Sequence, residues 1–368
     1  MDLEEDANIF FFFSADFPRE DVEAIAARLA GSNSLIPGFI APPAGLVSIE
    51  ALLYAELIDR SSTVVLLDRN VASRMAKIAK EGVRRPLDGP TQVAVDLMAL
   101  SQSMNLDLEP VIAFRELAHA HGNEAALEEL QWFRSADVGQ ARAWIDVALG
   151  RADALPSTGP ADREEYNLAQ PFHRWRCNYV TLLKAAELEL SPLSPRERAE
   201  RLYQWMASDF IIAGPAALYS SMFLSPFAAK AGLFKQLRSR DRQRALTGIR
   251  NAAWDVTYLS DLSRRAMSEP YESKRFLLAT ADRALAEIAP LLFLDAEDMA
   301  GFEIALAARV ESWWRGDAAA VARFATDAMV GDFLPVVIEM QPSTLAALEA
   351  FTDRDCLRVA ACHLPLPL

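Results

Sequence analysis

Apolar positions along the chain recur mostly at three- and four-residue spacing, as in helices with one buried face. The stretch "PREDVEAIAARLAG" opens on Pro18 and closes on Gly31, which predicts an amphipathic helix. "SIEALLYAELIDR" predicts a second helix, and "NVASRMAKIAKEG", again closed by a glycine, a third. "TQVAVDLMALSQSM", "EPVIAFRELAHAHG" with Pro110 at a helix start, "NEAALEELQWFRSAD" and "VGQARAWIDVALGR" continue the series. Farther on, "SPRERAERLYQWMASD" has Ser194 as cap and Pro195 just inside. One long helix is expected through "DRQRALTGIRNAAWDVTYLSDLSRRAM".

Four short runs break this period. "NIFFFFSADFP" (8–18) is aromatic and short, as a strand is. "STVVLLD" is β-branched at its start and wholly apolar, as expected of a strand covered on both faces. A third strand is expected over 276–281, and "FLPVVIEM" (333–340) is β-like. The stretch "RADALPSTGPADREE" (151–165), rich in Pro, Gly, Ser and charge, reads as a linker.

Composition narrows the class. With 368 residues, 52% hydrophobic and 24% charged, the chain has room for one large domain or two ordinary ones. A net charge of −14 argues against a broad basic surface coating nucleic acid, but not against a nuclease whose site is itself acidic. Three cysteines are too few for a disulfide framework or a structural zinc site, so a reduced, cytoplasmic setting is expected. The acidic start "MDLEEDANIFFFF" is unlike a secretory signal. The apolar region "FIIAGPAALYSSMFL" is too short to span a bilayer and is broken at Gly214-Pro215, so no membrane role is expected.

The candidate chemistry is acidic. "STVVLLDRNVASRM" and "RFLLATADRALAEI" share one shape: an apolar strand, an acid at its end (Asp68, Asp282), then a helix. Open α/β sheets place ligands at that edge. Asn70 and Thr280 stand two residues from these acids and can add polar groups to the site. Each acid is also a natural helix cap, and the recurrence favours more than capping. Glu116, between Ile112 and Ala120 on an apolar helix, faces a pocket or pairs with Arg115 or His119. Asp255 lies among Trp254, Val256 and Leu259; Asp261 is its rival and points elsewhere on the same helix. Carboxylates from separate elements suit Mg2+ or Mn2+, hard ions that activate water and stabilise a leaving oxygen.

The stretches "VVLLDRNVASRM", "PVIAFRELA", "NAAWDVTYL" and "FLLATADRAL" resemble the motif series of PIN-domain ribonucleases. The resemblance covers roughly 60–120 and 245–295. It implies a three-layer α/β/α sandwich around a parallel sheet and metal-dependent RNA cleavage. Asp68 with Asn70, Glu116, Asp255, and Asp282 with Thr280 would take the catalytic and metal-binding positions. The long separation of Glu116 and Asp255 requires a helical insertion, residues 125–245, between a first core part (1–124) and a second part with a helical tail (246–368).

Other signals carry less. "KQLRSRDRQRALTGIR" holds six basic residues, of which Arg238 and Arg242 would steer an RNA backbone; a solvated helix face is the plainer reading. Trp175 and Tyr179 in "PFHRWRCNYV" could stack on bases, but their helical spacing favours a core position. No nucleotide-binding loop or serine-hydrolase elbow is present. The rival to a nuclease is a helical scaffold, or a degenerate PIN-like domain, whose acids are caps and surface charges. A protein partner or inhibitor is compatible with either.

Overall fold

The computed structural model describes residues 11–156, 159–230, 232–268 and 274–330. Among them the chain is a helix-rich α/β protein with one four-stranded mixed sheet. It divides into two compact units: Met1–Ala169 with Arg265–Ala281, and Gln170–Arg264 with Asp282–Leu368.

The first unit contains α1 (Arg19–Gly31), β1 (Leu35–Pro37), α2 (Ile49–Leu53), β2 (Ser62–Leu67), α3 (Arg69–Glu81), α4 (Gly89–Met104), β3 (Asp107–Glu109), α5 (Val111–His121), α6 (Asn123–Asp137) and α7 (Ala141–Ala148). Its last strand, β4 (Lys274–Ala279), arrives from much later in the chain. The sheet order is β1-β4-β2-β3, with β2 parallel to both neighbours and β1 antiparallel to β4. Val65 and Leu67 of β2 and their register partners Leu277 and Ala279 of β4 join the core formed with the helices of this unit. Val64, Leu66, Phe276 and Leu278 alternate with them and are buried on the opposite face. Both central strands are therefore covered on two sides, which is why neither shows a polar alternation.

The second unit is helical: α8 (His173–Leu190), α9 (Pro195–Asp209), α10 (Gly214–Leu224), most of α11 (Arg242–Ser268), α12 (Arg283–Ile288), α13 (Met299–Trp314) and α14 (Ala318–Val330). α9 begins with a complete capping box: the Ser194 side chain accepts from the Glu197 backbone, and the Glu197 side chain accepts from Ser194 N–H. Asn178 of α8 donates to Thr257 and Ser260 of α11, each at 3.1 Å, so a buried polar contact fixes how these helices meet.

Several expectations need correction. The described part of 8–18, residues 11–18, contains no strand. Aromatic and apolar composition alone does not supply a pairing edge, and residues 8–10 lie outside the described residues. The sheet is mixed rather than parallel, because the three-residue β1 adds antiparallel to β4. The third strand runs from Lys274, and the residues after Ala279 turn toward α12. α6 and α7, expected at the head of an insertion, pack on α3, α4 and α5 of the first unit. The linker stretch is tied to that unit by Arg151–Asp21, Arg85–Asp153 and Arg134–Glu164 ion pairs. "FLPVVIEM" lies outside the described residues. Among the described residues no helix is long and apolar enough to cross a membrane.

Candidate active site

Asp68 is the first residue beyond β2 and the N-cap of α3. Its Oδ1 accepts the Val71 N–H at 2.8 Å, and its Oδ2 accepts the Thr280 hydroxyl at 2.5 Å. The backbone N–H groups of Ala281 and Asn70 also act on this carboxylate. In the main chain, Asp68 N–H donates to Ala279 O at 3.0 Å and Thr280 N–H to Ser34 O at 2.9 Å. Thr280 thus ties the ends of β4 and β2 to the segment before β1. Asp68 is only 4% exposed. Burial pushes its carboxyl pKa up, and the four donors oppose that rise without overcoming it. A carboxylate has about four acceptor sites, so Asp68 is saturated by its own fold. Asn70 contributes its backbone; its side chain is exposed.

Glu116 lies half-buried on α5, in the same unit as Asp68. Asp255 and Asp282 belong to the second unit. Asp282 caps α12, its Oδ1 accepting from Ala284 N–H at 2.8 Å and Leu285 N–H at 3.4 Å. Asp255 is half-buried on α11. Both carboxylates act on the hydroxyl of Tyr219, on α10, which is 1% exposed. Burial first, then Asp255 and Asp282, hold the Tyr219 pKa well above its ordinary value. The phenol therefore keeps its proton.

Asp261 is the weaker rival. It is 4% exposed and held by Arg174 at 2.9 Å and Arg264 at 3.2 Å. Those arginines neutralise it, so it offers little charge to a cation. Arg238 donates to Glu189 at 3.2 Å, and Arg242 is half-buried in the first turn of α11. Trp175 stacks on Tyr179 with ring centroids 5.0 Å apart and lies tilted against Trp254 at 5.5 Å. Tyr179 and Trp254 are buried, so this aromatic group packs the helical unit as its spacing suggested.

Within either unit, no three His, Cys, Asp or Glu side chains among the described residues stand close enough to hold a metal ion. Asp255 and Asp282 both lie within electrostatic reach of Tyr219, and two carboxylates with no soft ligand are donors of the kind a hard cation takes. Sequence reading missed Tyr219 because it sits inside an apolar run; a phenol in such a run, just after a Gly-Pro break, was the available signal. The chain matches no protein-family model, and neither a curated protein nor a solved structure is significantly similar to it.

Proposed function

We propose that the protein is a metal-dependent nuclease with a PIN-like core, acting on RNA. The reading is supported by two acids of the second unit, Asp255 and Asp282, that both lie within electrostatic reach of the buried Tyr219. The pairing of β2 and β4 supports the PIN-like part, because it sets two parallel strands side by side with Asp68 and Thr280 joined at their carboxyl ends. Asp255 and Asp282 would hold Mg2+ or Mn2+. Such an ion makes bound water a nucleophile and stabilises the leaving oxygen of a phosphodiester. Tyr219, protonated, orients one carboxylate or a phosphate oxygen by donating to it. Glu116 is the residue for orienting water or a second ion, and Arg238 and Arg242 for steering the RNA backbone.

A second reading has its own support. The saturated carboxylate of Asp68 and the cap bonds of Asp282 fit a non-catalytic scaffold in which the acids are caps. Calorimetric titration with Mn2+ separates the two. The nuclease reading expects binding that is lost in Asp255→Asn and kept in Asp261→Asn. Absence of Mn2+ binding by the native chain favours the scaffold.

A further inference from the structure

A small cavity opens in the first unit where β2 and β3 begin, at the end of β2 away from Asp68. Its volume is about 260 Å3. Leu52 of α2, Met104 at the end of α4 and Leu106 just before β3 give it apolar walls. Glu56 and Arg60 also line it, and both are exposed.

These two charges have the right spacing to pair, and they do not. A glutamate four residues before an arginine is the favourable order for an ion pair on an α-helix. Here α2 passes into a π-helical turn, Tyr54–Ile58, and Arg60 then takes a left-handed backbone at φ 51°. Both features break the α-helical spacing. Among the described residues, neither side chain makes an ion pair or hydrogen bond, with the other or with anything else. The residues on either side of Arg60 are pinned. Asp59 is held by an ion pair with Arg275, and Ser61 donates from its N–H and its hydroxyl to Ala55 O, at 2.8 and 3.1 Å. Arg60 is thus kept in a conformation that costs a residue other than glycine free energy, and two opposite, unpartnered charges face one cavity.

We propose that this cavity binds a free aliphatic α-amino acid. Arg60 takes its carboxylate, Glu56 its ammonium, and Leu52, Met104 and Leu106 its side chain. A guanidinium meets a carboxylate through forked donors, which fixes the ligand's orientation. The ligand carries both charges, since an anion alone leaves Glu56 unpartnered and a cation alone leaves Arg60 so. The cavity is smaller than the roughly 300–1,000 Å3 of pockets for drug-sized ligands, too small for a nucleotide and suited to a side chain such as that of valine or leucine. The site shares no residue with Asp255, Asp282 or Tyr219, so it stands or fails apart from the nuclease reading.

The test titrates the full chain by calorimetry with L-valine, L-leucine and L-isoleucine. The tightest binder is then compared with its deamino and decarboxy analogues, each lacking one charge, and with glycine, which lacks the side chain. The amino acid is expected to bind with a Kd of about 1 mM or tighter, and all three comparators at least about tenfold more weakly. Glu56→Gln and Arg60→Gln should each weaken binding at least about tenfold with the melting temperature unchanged, because both side chains are exposed and unpaired. Arg60→Gly separates binding from folding: glycine accepts the left-handed backbone, so the melting temperature holds or rises while binding is lost. No binding by any of the three amino acids overturns the proposal. So does a deamino or decarboxy analogue that binds as tightly as its parent, or binding unchanged in folded Glu56→Gln or Arg60→Gln.

Discussion

Asp68 shows how one side chain serves as both cap and clasp. Its Oδ1 starts α3 and its Oδ2 holds Thr280, so removing Thr280's hydroxyl should leave a buried carboxylate short of a donor. Thr280→Val is expected to cost about 1–3 kcal/mol, measured by urea unfolding. The pH dependence follows from the raised pKa of Asp68. A carboxyl that titrates higher when folded favours the fold below its unfolded pKa of about 3.9 and loses that contribution as pH rises through the folded pKa. Asp68→Asn lacks this loss. In EDTA, its stability relative to the native chain should therefore rise between pH 4 and pH 7, as denaturation at both values would show. That Thr280 could share a site with Asp68 was legible, because both stretches end an apolar strand on an acid and Thr280 stands at the end of the second. The electrostatic influence of Asp255 on Tyr219 was not, since it depends on how the helical unit folds.

Elements with cap chemistry were the easiest to read. α9 starts where Ser194, Pro195 and Glu197 place it, and Ser194→Ala should cost about 1 kcal/mol by losing the capping box. The long α11 was legible from its period, but its packing was not. Gly248, inside that helix, has no room for a methyl group: an added Cβ would stand 1.9 Å from Lys235 O. Alanine's better helix propensity, about 1 kcal/mol, cannot offset a clash with backbone. Gly248→Ala should destabilise by about 1–3 kcal/mol in urea unfolding, with the α11 amides exchanging faster. β1 and β3 escaped the sequence reading because three-residue strands show no alternation. The aromatic run at 11–18 misled for the opposite reason, since apolar composition alone does not supply a pairing edge.

At the scale of the whole molecule, chain order and compact units disagree. β4 lies between β1 and β2 in the sheet, yet the whole second helical segment up to Arg264 separates it in sequence from the other strands. Residues 1–169 alone would leave β1 and β2 without the strand that joins them, exposing Val64, Val65, Leu66 and Leu67 along an unpaired edge. That fragment should show lost sheet signal and aggregation, whereas the full chain stays cooperative, as circular dichroism and light scattering would report. The α/β class and most helices were legible from periodicity, while this division was not, because no local signal marks a strand that returns to the first unit from late in the chain.

The central claim, that the acids around Tyr219 serve RNA cleavage, is tested most directly with a fluorescent single-stranded RNA. The full chain is assayed with Mn2+, with EDTA, and as Asp282→Asn, a change that keeps the α12 cap because asparagine caps as well as aspartate. The account predicts metal-dependent cleavage that falls at least about 100-fold in the variant while the melting temperature holds. No cleavage by the native chain with Mn2+, or cleavage unchanged by EDTA or by Asp282→Asn, would contradict it.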